Sequence, residues 1–171
     1  MKGGDTLVIT NYIALEGTSL LVRDNRERLD GRFPLYMTQR ILELAGAADT
    51  VRSAEIASSL GAFVHSLEGE SFFKGLWLSL EELGVGLEAD MEEVPIRQET
   101  VEISEILEAD PYELPSGGSL LVYTSRAAEF IDLCGKEGIR ATAIGYTTGK
   151  KARTLRNGDH VRYLDKWRER P

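Results

Sequence analysis

Apolar positions along this chain alternate between two periods, and each change of period marks the passage from a strand to a helix. Thr6 to Thr10 is a run of β-branched and apolar residues and reads as a strand. Gly17-Thr18 opens a helix to about Leu29, with Thr18 or Ser19 as its cap. After Pro34, the residues Leu35, Met37, Ile41, Leu42 and Ala45 recur at helical spacing, and Gly46 lies near the end. A shorter helix covers Ser53 to Leu60. Ala62 to Leu67 reads as a short strand carrying His65. A long helix follows from about Glu70 to Leu83, with Phe72, Phe73, Leu76, Trp77, Leu80 and Leu83 as its apolar stripe. Trp77 on that stripe suits a core or interface position, with cofactor stacking as the other reading.

The second half continues the alternation. Val85 to Met91 is a strand, and Gln98 to Leu107 a helix that buries Val101, Ile103, Ile106 and Leu107. Asp110-Pro111 ends it, because a residue before proline is pushed out of helical geometry. Ser119 to Thr124 is the most apolar strand and is expected at the centre of the sheet. Arg126 to Glu137 forms a helix closed by Gly138, and Thr142 to Tyr146 the next strand. Ala152 to Leu155 and His160 to Leu164 flank Asn157-Gly158, a type I′ hairpin signal. The expected class is α/β: a mixed β-sheet covered by helices in a single compact domain spanning residues 1–171, without repeats or a linker.

Composition sharpens this picture in three respects. At 171 residues and 42% hydrophobic the chain is long enough for one well-filled core. A net charge of −8 disfavours nucleic acid, whose binding depends on neutralising phosphates. No apolar run is long enough to span a bilayer, so a membrane partner is not expected either. The charge is polarised: His65 to Glu113 holds 14 acidic and 2 basic residues, while Gly149 to Pro171 holds 8 basic and 3 acidic. The basic tail reads as a solvated hairpin or as an anion-binding strip.

The one cysteine, Cys134, has no partner for an intrachain disulfide and sits on the apolar side of its helix, so it reads as a small buried side chain in a reducing, cytoplasmic setting. Two histidines and one cysteine give no zinc-like spacing, and no metal site is expected. The acidic turn of Glu88, Asp90, Glu92 and Glu93 reads as a solvated loop before a hard-cation site.

The segment GVGLEADMEEVPIRQETVEISEILEADPYELPSGGSLLV, from Gly84 to Val122, carries a Gly-x-Gly strand, an acidic turn, a Pro before a helix, a DPYEL motif and a Ser-Gly-Gly turn into an apolar strand. It resembles the C-terminal domain of the aminoimidazole ribonucleotide (AIR) synthase-related superfamily, which includes PurM-type AIR synthase, HypE hydrogenase-maturation proteins, selenophosphate synthetase and thiamine-monophosphate kinase. GDTLVIT at Gly4 to Thr10, LEGTSLLVRD at Leu15 to Asp24 and AIGYTTGKKARTLRNGDHVRYL at Ala143 to Leu164 extend the likeness in the same order. The resemblance implies an AIR synthase C-terminal-like fold and a partner domain, in cis or trans, that binds ATP and magnesium. No cofactor is expected in this chain itself, and a homodimer is possible.

The chain departs from that pattern where relatives place a His-Asp strand end, a Thr and a Gly-Gly helix start. Here His65 keeps the His, Ser66 stands for the Asp, Glu68 for the Thr, and Glu70 and Ser71 for the two glycines. Side chains at Glu70 and Ser71, with the charges of Glu68 and Glu70, oppose a phosphate at that helix start. HypE chemistry on a terminal cysteine is not expected to transfer, since the sequence closes on Trp167-Arg168-Glu169-Arg170-Pro171.

Three loops emerge as candidates: Glu16-Gly17-Thr18 at a helix start, His65 to Ser71, and Pro115-Ser116-Gly117-Gly118-Ser119, whose successive amides can form an anion nest. Gly17, Thr18, Ser116, Gly117, Gly118 and Ser119 are the expected substrate or anion contacts. His65 is the candidate catalytic base, its alternative being a histidine held at a strand end by hydrogen bonds. The expected function is the substrate-side domain of an ATP-dependent, HypE-like or AIR synthase-like protein acting on an amide- or phosphate-bearing small molecule, inactive alone. A non-catalytic binding or assembly module is the competing reading.

Overall fold

The computed structural model describes residues 3–169. Seven strands form one mixed sheet: β1 Thr6–Thr10, β2 Phe63–Ser66, β3 Gly86–Asp90, β4 Leu120–Thr124, β5 Ala141–Thr148, β6 Arg153–Asn157 and β7 His160–Tyr163. Their spatial order is β2-β4-β1-β5-β3-β6-β7. Every pairing is antiparallel except β3 with β6. The helices are α1 Leu15–Asp24, α2 Arg26–Leu29, α3 Leu35–Ala47, α4 Val51–Ser59, α5 Phe72–Leu83, α6 Gln98–Ile106 and α7 Ala127–Lys136.

Strand alternation sends β1 to both faces of the sheet. Leu7 and Ile9 join Leu121, Tyr123, Leu87 and Leu155 beneath Phe72, Leu76 and Leu80 of α5. Val8 joins Leu120 and Val122 on the opposite face, under Ile56 and Ala57 of α4 and Phe130 and Cys134 of α7. A third cluster, built from Leu15, Val22, Leu29, Ile41 and Ile103, holds α1, α2, α3 and α6 together. Cys134 is fully buried, and that burial raises its thiol pKa.

The structure corrects several sequence expectations. The helix expected from Gly17 to Leu29 starts at Leu15 and breaks at Asn25, whose side-chain amide donates to the Leu21 carbonyl at 3.0 Å. Neither Thr18 nor Ser19 caps it. Their hydroxyls donate back to the carbonyls of Ala14 and Glu16, because both sit inside the first turns and face protein. β4 is fully buried yet second from an edge, since helices on both faces bury a strand as well as a central position does. Leu35 is 69% exposed, so its place in the α3 pattern does not put it in the core. In α6 the buried residues are Glu99, Thr100, Ile103 and Ser104, and of the four expected only Ile103 is fully buried.

The β6–β7 hairpin forms, with Asn157 facing His160. Its two turn residues are therefore Gly158 and Asp159, and Gly158 alone has positive φ, at 62°. That is the type II′ pattern rather than I′.

Trp77 lies at the rim of the stripe. Leu76 and Leu80 are fully buried, while the Trp77 ring is partly exposed beneath the Arg153 guanidinium, 4.7 Å from its centroid. Arg153 also donates to the carbonyls of Leu80 and Val85, so it closes the C-terminal end of α5.

Candidate functional site

The three candidate loops, far apart in sequence, meet at one end of the sheet. β1 and β4 are adjacent, which places the chain leaving β1 beside the chain arriving at β4. β2 lies on the other side of β4, so the loop leading from β2 to α5 reaches the same place.

The segment after β1 is built to turn sharply, with Asn11 at φ 58° and Ala14 at φ 64°. Asn11 Nδ2 donates to the Gly118 carbonyl at 2.7 Å, and the Ala14 amide donates to Ser116 Oγ at 2.8 Å. The guanidinium groups of Arg97 and Arg140 lie over the Tyr12 ring, 5.3 and 5.0 Å from its centroid. Arg97 is paired with the buried Glu99, and that hydrogen bond lowers the Glu99 pKa against the opposing effect of burial. The Tyr12 carbonyl accepts the Ser119 hydroxyl at 3.0 Å.

The amides of Gly17, Thr18, Ser116, Gly117 and Ser119, five of the six expected anion contacts, are given partners within the chain. Gly17 donates its amide to the Pro115 carbonyl at 2.8 Å, and Thr18, fully buried, bonds Ala14 through both amide and hydroxyl. Ser116 and Ser119 are fully buried. The Ser116 amide goes to the Glu70 carbonyl at 2.8 Å, and the Ser119 amide to the Ser116 carbonyl.

The Gly117 amide donates to Glu16 Oε1 at 2.9 Å, and the Gly69 amide donates to the same oxygen at 3.2 Å. A carboxylate of the chain itself thus sits in the nest of backbone donors. A Cβ at Gly117 would lie 2.8 Å from that oxygen, so the carboxylate would have to shift to make room for one.

His65 sits in β2 opposite Leu121. Its Nε2 is 2.7 Å from Glu70 Oε2, with the two side chains 18% and 21% exposed. Ser71 caps α5, its hydroxyl accepting the Lys74 amide at 3.1 Å. Glu70 and Ser71 therefore have definite local roles, one as the partner of His65 and the other as a helix cap. Ser66 and Glu68 are exposed, and the Ser66 hydroxyl accepts the Glu68 amide at 3.2 Å.

Two grooves flank this junction. One, about 380 Å³, is lined by Glu16, Ser19, Arg23, Glu68, Gly117 and Gly118 among others. The other, about 740 Å³, runs between the start of α5 and the C-terminal segment and includes Phe73, Lys74, Asp110, Arg162 and Trp167. Arg162 stacks over Phe73 and Lys74 over Trp167, at 5.0 and 4.4 Å, so aromatic faces engage part of the charge in that groove. His65 and Glu70 line neither groove.

Sequence reasoning located the loops but missed Glu16 as the ligand of the nest and Glu70 as the partner of His65. Both are acidic residues beside glycines, but the Glu16–Gly117 contact spans 101 positions and leaves no local pattern. Among the described residues no group of three or more His, Cys, Asp or Glu could hold a metal ion, and no helix is long and apolar enough to cross a membrane.

Comparison with known proteins agrees with this architecture. Residues 74–156 match the family "AIR synthase related protein, C-terminal domain". The HypE–HypF complex contains a chain of the same fold, with TM-score 0.76 and 20% identity over 96% of this chain and 53% of that one. A HypE structure in complex with ATP gives TM-score 0.69 and 14% identity, over 98% of this chain and 52% of that one. Thiamine-monophosphate kinase from Stenotrophomonas maltophilia K279a gives TM-score 0.66 and 11% identity, over 91% and 50%. No curated protein sequence matches the chain. Residues 74–156, just under half of the chain, thus resemble the AIR synthase-related C-terminal domain, and the solved structures share the fold of nearly the whole chain. The chain spans about half the length of these solved relatives.

Proposed function

We propose that this chain is the substrate-side domain of an ATP-dependent AIR synthase-related protein, that it acts on an amide- or phosphate-bearing small molecule, and that it catalyses nothing without an ATP-binding domain supplied in cis or trans. The observation that carries the reading is the pair of coverages: the fold accounts for nearly all of this chain and only about half of each relative. The ATP seen with HypE supports nucleotide chemistry in a complete protein of this kind. Three loops converging between two grooves supply the substrate-side surface, with Gly117 and Gly118 on the wall of the smaller one.

One observation favours the second reading, a non-catalytic binding or assembly module. His65 is paired with Glu70 away from both grooves, and the nest is filled by Glu16. The two readings separate in a complementation assay. The chain is mixed with the ATP-binding half of an AIR synthase-related protein as a separate polypeptide, and ATP-dependent turnover of candidate amides and phosphate esters is followed. The first reading predicts turnover that requires both polypeptides. A stable complex with no turnover of any substrate contradicts it and favours the module.

A further inference from the structure

The nest at the junction of the loops already holds an anion, and that anion is covalently part of the chain. Glu16 Oε1 collects the amides of Gly69 and Gly117 from two loops that meet only in the folded state. Two backbone N–H groups converging on one charged oxygen make charge-assisted hydrogen bonds of the kind that hold phosphate and carboxylate ligands. Glu16 also lies in the first turn of α1, where the helix dipole favours negative charge. The carboxylate lies close against Gly117, and at Gly118, with φ 94°, a Cβ would lie 2.4 Å from that of Ala48.

Glu16 and Gly117 line the groove of about 380 Å³ together with Ser19, Thr50, Ser66 and the cationic Arg23, while Gly69 lines the larger groove beside it. Asp49 and Glu68 line the smaller groove too and weaken the attraction for an anion. We propose that Glu16 is a built-in plug: its carboxylate keeps the Gly69–Gly117 nest closed to external anions, and removing it opens a weak site for a phosphate-class anion. This deepens the proposed function, resting on its reading of these loops as the substrate side, and names what regulates access to them.

The plug makes a direct claim about competition. An external phosphate must displace a carboxylate tethered within reach, and the tether gives that carboxylate a high effective concentration. Neutralising or deleting Glu16 removes the competitor and leaves the donors in place.

The test uses the whole chain and inorganic phosphate at constant ionic strength, following the Gly69 and Gly117 amide resonances. Both amides stay put in the wild type through a millimolar titration. In Glu16→Ala they shift together and saturate, with an apparent Kd at least about tenfold tighter than any wild-type value. Glu16→Gln keeps the side-chain length and an oxygen for the amides but lacks the charge. It shows the same effect in smaller measure and stands in if the alanine variant does not fold. Glu68→Ala, which removes another carboxylate from the same groove, leaves the amides unmoved by phosphate.

Three results overturn the proposal: wild-type amides titrating as readily as those of the variants, folded Glu16 variants whose amides ignore phosphate, or Glu68→Ala matching Glu16→Ala. None involves ATP or a second domain, so failure of the proposed function shows in the complementation assay and failure of the plug shows here.

Discussion

His65 Nε2 and Glu70 Oε2 lie 2.7 Å apart, joining the β2 edge strand to the loop that starts α5. The Glu70 carbonyl meanwhile accepts the Ser116 amide, so the same residue ties β2 to the turn before β4. A partly buried bond involving a charged group contributes on the order of 1 kcal/mol. His65→Ala and Glu70→Ala are each expected to cost about that much in urea unfolding. The double variant should cost less than the sum, by about 0.5–1 kcal/mol. Strict additivity would show that the two side chains do not hold the loop together.

Trp77 and Leu76 are neighbours on α5 with different fates. Leu76→Ala leaves a cavity under the helix and is expected to cost about 2–5 kcal/mol. Trp77→Ala removes a rim contact with Arg153 and is expected to cost less, about 1–2 kcal/mol. Equal losses in denaturant unfolding would place Trp77 in the core after all.

Tyr123 is buried against α5, its hydroxyl 2.7 Å from Ser79 Oγ, and burial raises its pKa well above that of a free phenol. The folded state therefore holds the proton after the unfolded chain has lost it. This contribution is complete below about pH 10, the ordinary tyrosine value, and is lost as pH rises beyond it. The expected loss approaches about 1.4 kcal/mol per pH unit from this group. Tyr123→Phe should flatten that alkaline slope while costing about 1 kcal/mol at neutral pH. An unchanged slope in unfolding measured between pH 10 and 11.5 contradicts the assignment.

The hairpin offers a clean discrimination between turn types. Gly158→Ala places a Cβ at positive φ and is expected to cost about 1–2 kcal/mol, whereas Asn157→Ala should cost under about 0.5 kcal/mol. Comparable losses at both positions in thermal unfolding would restore the type I′ assignment.

What the sequence disclosed, and what it withheld, follows from the range of the interactions involved. Local rules found β1, the α5 stripe of Phe72, Leu76 and Leu80, the burial of Cys134 and the β6–β7 hairpin, because each depends on neighbours within a few residues. The break of α1 at Asn25 escaped because a side-chain bond to Leu21 competes with the helix without disturbing its apolar spacing. β4 was misplaced to the centre because two helical layers give the same apolar run as central placement. At the candidate site, order along the chain singled out three loops that the sheet brings to one end. Their internal bonding stayed hidden, since Glu16 reaches Gly69 and Gly117 only through the adjacency of β2, β4 and β1.

The dependence of this domain on an ATP-binding partner is the central claim, and steady-state ATP hydrolysis by the purified isolated chain with magnesium tests it most directly. The expected result is no turnover above the buffer background, with or without candidate amides and phosphate esters. Turnover that survives repurification, at a rate on the order of 1 per second, would contradict it.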